Sequence, residues 1–288
     1  MTVERRPGFG EASGLRFADI VKQRRHTQAQ PVGRTGIDAS TASPAAILDR
    51  RVGHYRLPDG WQVVAAGNAS FHGAVSHDMG TALADRMFHF NVQAVIEAFV
   101  AYALAHGLAP EVMAFLQVRP DKLDDTQAQL AGDHLAGASP RGWEDVSRVL
   151  QSGLSDATKR LLVQGRIGAA NAAEFFGVLR EIQAGVDVLR LLAARPGAET
   201  LALLPRSLDA LYGMVYGLVA ACNDAPTLTR ALEVVGQLPE ARGPVPLPLA
   251  EAQTLAMELL LQRALQQSLE AALYDSAAYR RYAGARRG

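Results

Sequence analysis

The sequence feature that most constrains the fold of this chain is a helical apolar pattern that runs from about residue 93 almost to the end. Its first segment places apolar side chains at positions i, i+3, i+4, i+7 and i+8, one face of an amphipathic helix: Ile96, Phe99, Val100, Ala103 and Leu104. Further Ala- and Leu-rich helices are predicted over 155–183, 186–194, 207–222, 226–237 and 249–274. The fold class is therefore mostly α, with a partial α/β segment before these helices.

The partial α/β segment covers residues 46–92. Within it "WQVVAA" (61–66) is typical of a buried strand, and "FHFNV" (88–92) alternates like a second strand. The stretch "ILDRRVG" before them indicates the end of a helix that stops at Gly53. Because two strands do not form a stable sheet alone, we expect a missing strand or one supplied by the N-terminal segment.

The ends of the chain lack a clear pattern. Residues 1–45 are rich in Arg, Gln, Gly, Ser and Thr, and we expect them to be poorly ordered. The C-terminal "YRRYAGARRG" is expected to be a frayed tail, and the Pro-rich stretch 240–251 a linker before the last helix.

Composition excludes several classes of function. Lys plus Arg and Asp plus Glu number 29 each, so a nucleic-acid binder that works through global charge is not expected. No apolar run is long enough to span a membrane, and no secretion signal is present, so we expect no membrane partner and a cytoplasmic location. A single cysteine, Cys222, excludes a disulfide within the chain and is expected to be a buried thiol rather than a nucleophile.

Two groups of residues stand out on the helices. In "ASPRGWEDVSRVL" Ser139 has the character of a helix cap and Pro140 occupies the first helical position. Four aromatic residues lie on apolar helices and are candidates for the core: Phe175, Phe176, Tyr212 and Tyr216. No spacing of Cys or His fits a metal site.

Three stretches follow one another along the chain: "ILDRRVGHYRLPDGWQVVAAGN", "HDMGTALADRMFHFNV" and "SPRGWEDVSRVL". Together they resemble the MoxR-type AAA+ ATPases of bacteria, over roughly residues 44–180. The resemblance implies that Asn68 is a sensor at a strand tip, Arg86 an arginine finger and Arg141 a sensor arginine of the lid. It also implies ATP with Mg²⁺ as cofactor, bound by Asn68 and Arg141, with Asn68 and Arg86 as the catalytic residues.

The same resemblance implies a domain order for the chain. A divergent N-terminal segment (1–45) precedes the C-terminal part of an AAA+ α/β core (46–92). A helical lid (93–154) and a helical C-terminal domain (155–288) follow. The fold expected from the resemblance is thus an incomplete P-loop NTPase core with its lid and helical domain intact.

The residue types implied by the resemblance suit phosphoryl transfer, which depends on positioning and charge stabilisation. A neutral amide such as that of Asn68 orients a water without competing for Mg²⁺. A guanidinium remains charged and can donate two hydrogen bonds to phosphate oxygens. Each residue also has a structural interpretation: a turn for Asn68, a surface ion pair for Arg86, and a contact with a neighbouring carboxylate for Arg141.

The phosphate-binding loop of the family, G-x-x-x-x-G-K-[ST], is absent, because no Gly-Lys dipeptide occurs in the sequence. The acidic strand motif is reduced to Asp38, which Ala39 follows where the family has glutamate. Each lost charge-assisted bond removes about 1.5–3 kcal/mol. We therefore expect a truncated or frame-disrupted member whose ATP binding is far weaker than that of intact relatives and whose hydrolysis alone is negligible.

Intact members of the family are chaperone-like ATPases that remodel protein complexes as oligomers, often beside a protein with a von Willebrand factor A domain. The resemblance implies similar partners here, including other AAA+ subunits. One alternative is a non-catalytic assembly module that docks on an intact ATPase ring and offers Arg86 to a neighbour's ATP. Another is a relic without function.

Overall fold

The computed structural model describes residues 2–4, 49, 51–52, 55–56, 85, 87–125, 128, 131–132, 136–241 and 246–285. The chain divides into two compact units, Met1–Gln93 and Ala94–Gly288. Among the described residues the second unit is almost entirely helical, so the predicted mostly-α class is confirmed. No described helix is both long enough and apolar enough to cross a bilayer.

The first unit contains two small antiparallel strand pairs. Strand β1 (Thr2–Glu4) pairs with β4 (Asn91–Gln93), with Val3 opposite Val92. Strands β2 (Arg51–Val52) and β3 (Tyr55–Arg56) form a short hairpin. The N-terminal segment thus supplies the partner of the strand near residue 92.

Two expectations for this unit are wrong in detail. The strand predicted over 88–92 begins only at Asn91, and the side chains of Phe88 and Phe90 are exposed instead of facing a core. Arg51 and Val52, expected at the end of a helix, form strand β2, whose backbone pairs with Tyr55 and Arg56 across the hairpin. The strand predicted over 61–66 lies outside the described residues.

The second unit is built from helices whose bounds follow the apolar pattern. In chain order they are α1 (Ile96–Ala105), α2 (Pro110–Val118), α3 (Pro140–Gln151), α4 (Asp156–Ile167), α5 (Ala169–Gly185), α6 (Val188–Ala193), α7 (Ala198–Leu203), α8 (Leu208–Ala221), α9 (Ala225–Gly236), α10 (Leu249–Gln266), α11 (Glu270–Asp275) and α12 (Ala277–Ala285). Single 3₁₀ turns cover Pro120–Lys122 and Leu238–Glu240.

Helix α8 forms the centre of the helical unit. It packs against α2, α5, α6, α9 and α10, and its side chains are buried on almost every side. A helix surrounded in this way must be apolar around its whole circumference, as "LYGMVYGLV" is. Buried aromatic rings lie at α2, α3 and α5, where Phe115, Trp143 and Phe175 contact one another.

The predicted core aromatics are largely confirmed, since Phe175, Phe176 and Tyr216 are buried and Tyr212 is partly buried against the core. The amphipathic face of α1 is confirmed as well, with Phe99, Val100, Ala103 and Leu104 buried.

Three helix boundaries differ from those expected. The helix predicted over 155–183 breaks at Gly168, whose φ of 85° is a conformation that favours glycine. The helix predicted over 249–274 ends at Gln266, before Ser268 adopts a φ of 58°. The tail expected to fray forms α12, because Ala278 is buried against the α9 residue Gly236.

Candidate functional site

One of the three site residues implied by the resemblance is described by the structure. Arg141 is the second residue of helix α3, and it is exposed. Asn68 and Arg86 lie outside the described residues, as does Asp38. The candidate site among the described residues is therefore the first turn of α3.

The start of α3 is defined by its cap. Ser139 has extended backbone angles, φ −154° and ψ 161°, and its hydroxyl oxygen accepts a hydrogen bond of 3.1 Å from the Gly142 N–H. Pro140 follows at the first helical position, where its missing N–H costs nothing. The predicted cap is thus confirmed, and it places Arg141 in the first turn.

Trp143 prevents α3 from rotating about its axis. Its ring is buried against Phe115 and Phe175, at centroid distances of 5.2 and 5.6 Å. The indole N–H also donates a 2.7 Å hydrogen bond to the carbonyl of Lys122. Because Trp143 points into the core, the side chain of Arg141, two positions earlier, starts from a different side of a fixed helix.

The loop that leads into α3 is held by Asp125. Its Oδ1 accepts a 2.6 Å hydrogen bond from the Ala138 N–H, and its Oδ2 accepts one of 2.7 Å from Asn171 Nδ2 on α5. Asn171 is buried, and Nδ2 also donates to the Ile167 carbonyl at 2.9 Å. This pair joins the residue before the Ser139 cap to a different helix, which further fixes the first turn of α3.

The carboxylates of α3 are engaged by arginines other than Arg141. Asp145 would be its partner four residues along the helix, but Asp145 accepts a 2.8 Å hydrogen bond from Arg166 Nε on α4. Arg148 binds both Asp145, at 3.2 Å, and Glu144. Among the residues that the structure describes, Arg141 has no hydrogen-bond or ion-pair partner.

A tyrosine extends this network to α1. The Tyr102 hydroxyl donates a 3.0 Å hydrogen bond to Glu144 Oε2, and this bond raises the pKa of Tyr102 above its ordinary value. Both α3 carboxylates near the first turn therefore have partners other than Arg141.

Two guanidinium groups lie at the first turn of α3, and one of them, that of Arg166, is paired with Asp145. Helix N-termini carry a partial positive charge, so an arginine there is unfavourable by about 0.3–1 kcal/mol. A second guanidinium, that of Arg166, lies against the backbone, since a Cβ atom added to Gly142 would stand 3.2 Å from Arg166 Nη1. The helix dipole therefore does not stabilise Arg141, and its guanidinium has donors for an anion such as a phosphate.

The chemistry available at this turn is limited to charge. In the part of the chain that is described, no group of three His, Cys, Asp or Glu side chains could hold a metal ion. Cys222 directly follows α8 and is buried, its thiol donates to the Leu218 carbonyl, and burial raises its pKa to about 12. The expectation of a buried thiol is confirmed.

The sequence analysis did not identify the residues that bind Asp145 and Asp125 around the first turn of α3. Arg166 is 21 residues from Asp145, and Asn171 is 46 residues from Asp125, so no local spacing reveals either pair. The only available signal was the short polar residue Asn171 within an apolar helical pattern.

No family model, curated protein or solved structure matches this chain.

Proposed function

We propose that this chain is a MoxR-like member of the AAA+ ATPases that retains a lid and a helical C-terminal domain but lacks a complete nucleotide-binding core. The observation that carries the proposal is Arg141, an exposed cation without a partner in the described structure, on a helix start fixed by Trp143. The order of the sequence motifs is the second support. In this proposal Arg141 contacts a phosphate of ATP.

The described residues fit only part of an ATP–Mg²⁺ site. The Arg141 guanidinium fits contact with one phosphate, whereas the Gly142 N–H is already bound by Ser139 and Pro140 has none. The sequence offers no phosphate-binding loop and no Gly-Lys dipeptide. No hydrolytic step is therefore assigned to this chain, and its role in hydrolysis would be to sense a nucleotide, with Asn68 and Arg86 as the further proposed site residues.

Equilibrium binding of ATP with Mg²⁺ to the purified chain tests this proposal. We expect weak binding, in the millimolar range, because the missing loop removes several bonds of about 1.5–3 kcal/mol each. The variant Arg141→Ala should weaken it further, by about tenfold. Arg206→Ala is the matched control, since Arg206 is also exposed and has no partner among the described residues. Stoichiometric binding at micromolar concentration would contradict the proposal.

A second candidate function, a non-catalytic module that docks on an intact ATPase ring, is supported by apolar side chains in the first unit. Phe88, Phe90 and Val92 alternate along the chain and are 84%, 57% and 43% exposed. Apolar side chains exposed together favour contact with another protein. Arg86, the proposed finger, is two residues before Phe88.

Co-purification with an intact MoxR-type ATPase separates the two candidates. The module predicts a stable complex in which this chain raises the ATPase rate of its partner and Arg86→Ala removes that increase. A complex that forms without any change in the rate, or no complex at all, would contradict the module. In the same assay a von Willebrand factor A domain protein can be added as the other proposed partner.

A further inference from the structure

A cavity of about 370 Å³ lies in the second unit between α9, the loop before α7, and the junction of α11 with α12. Its lining comes from one face of α9 and from the α11–α12 junction: Thr229, Glu233, Gln237, Asp275, Ser276 and Arg281. The volume is at the lower end of those typical of small-molecule sites. No motif of the proposed function includes any of these residues.

The floor of the cavity is fixed by buried polar contacts. Ser276 is 5% exposed, and its hydroxyl oxygen accepts a hydrogen bond from the Tyr279 N–H at the start of α12. The lining residue Gln237 accepts at Oε1 a 3.0 Å hydrogen bond from the Gly197 N–H. Both residues therefore have set positions in the folded chain.

A mostly buried arginine outside the lining orients the lining residue Glu233. The side chain of Arg230 is 13% exposed, and it donates to the Leu191 and Leu192 carbonyls and to Thr200 Oγ1 at 2.6 Å. Its Nη1 also pairs with Glu233 at 3.0 Å. The carboxylate of Glu233 is thus oriented and partly neutralised before any ligand arrives.

Two opposite charges on the lining remain without partners. Asp275 and Arg281 are both exposed at the mouth of the lining, and neither the carboxylate nor the guanidinium makes a hydrogen bond or an ion pair with the described residues. The amide nitrogen of Gln237 likewise has no acceptor there. One cavity therefore presents an available anion, an available cation and an available amide donor.

We propose that this cavity binds a small zwitterion of the α-amino-acid class. The ammonium group of the ligand would pair with Asp275, and its carboxylate would pair with Arg281 and accept from the Gln237 amide. A ligand with only one charge would form only one of these two ion pairs. The proposal is independent of the nucleotide function and does not depend on Arg141.

Calorimetric titration of the full chain with glycine, L-alanine, L-leucine and L-glutamine tests the proposal. At least one of them should bind at a ratio of one to one with a millimolar dissociation constant. For L-glutamine, N-acetyl-L-glutamine carries only the negative charge and L-glutamine amide only the positive charge. Each should bind about tenfold more weakly than the zwitterion, because one charge-assisted bond is lost.

Two variants and a control locate the site. Asp275→Asn and Arg281→Gln should each weaken binding by about tenfold, while Glu181→Gln, an exposed change on α5, should leave it unchanged. Amide NMR shifts in the unmodified protein should map to Thr229, Gln237 and Ser276, which requires no variant to fold. The proposal is overturned if no amino acid of the four binds, if the shifts map elsewhere, or if the single-charge analogues bind equally well.

Discussion

Replacing Gly213 with alanine should destabilise the helical unit, although alanine is the better helix former. Gly213 lies in α8 where that helix crosses α5, and a Cβ atom there would stand 2.6 Å from Ile182 Cγ2 and 2.9 Å from Cγ1. The first distance is 0.8 Å short of the 3.4 Å at which ordinary contact begins. Ile182 is buried and β-branched, so it has no free rotamer into which to move.

The expected magnitude follows from two opposing terms. Overpacking of this kind costs about 1–3 kcal/mol. Removing a glycine from a helix interior returns about 0.5–1 kcal/mol. The net effect of Gly213→Ala is therefore a loss of about 1 kcal/mol in the free energy of unfolding.

Gly177 provides the control for the same substitution. It lies inside α5, and no atom would stand within 4 Å of its added Cβ. Gly177→Ala should therefore raise the free energy of unfolding by about 0.5–1 kcal/mol. Urea unfolding followed by circular dichroism measures both changes. If the two variants shift stability in the same direction, the close packing of α8 on α5 is wrong.

Three further predictions concern the cap and two buried groups. Ser139→Ala removes the acceptor of the Gly142 N–H and should cost about 1 kcal/mol in urea unfolding, whereas Ser139→Asp should cost much less. Tyr216→Phe removes the 2.7 Å bond to Gln117 and should lower stability by about 1 kcal/mol; an unchanged midpoint would contradict the contact. Burial raises the pKa of Cys222 from 9.0 to about 12, so stability should decrease as pH rises through that interval and iodoacetamide should label the thiol only on unfolding. Rapid labelling of the folded chain at neutral pH would show that the thiol is accessible.

Helix α3 illustrates how much of the fold the sequence can predict. Its start follows from Ser139 and Pro140, which act on the backbone beside them, and the structure confirms both. The break at Gly168 was not predicted, because Gly165 and Gly177 occur in the same run and remain helical. The break separates two helices with different neighbours: α4 packs on α3, whereas α5 packs on α2 and α8.

The candidate site divides in the same way. The neighbours of Arg141 in the sequence predict that it lies near a helix start. They do not predict that it lacks a partner, because Asp145 is bound instead by Arg166, a residue of another helix. The cavity near Ser276 gave no signal either, since the sequence predicted one continuous helix over 249–274 and a frayed tail, not the helix–helix junction that forms its wall.

The central claim is that Arg141 meets a phosphate of ATP, and NMR of the arginine side-chain Nε–H groups tests it most directly. Addition of ATP with Mg²⁺ at millimolar concentration should shift the Arg141 signal and leave the Arg206 signal in place. Binding of ATP without any shift at Arg141, or equal shifts at both arginines, would contradict the claim.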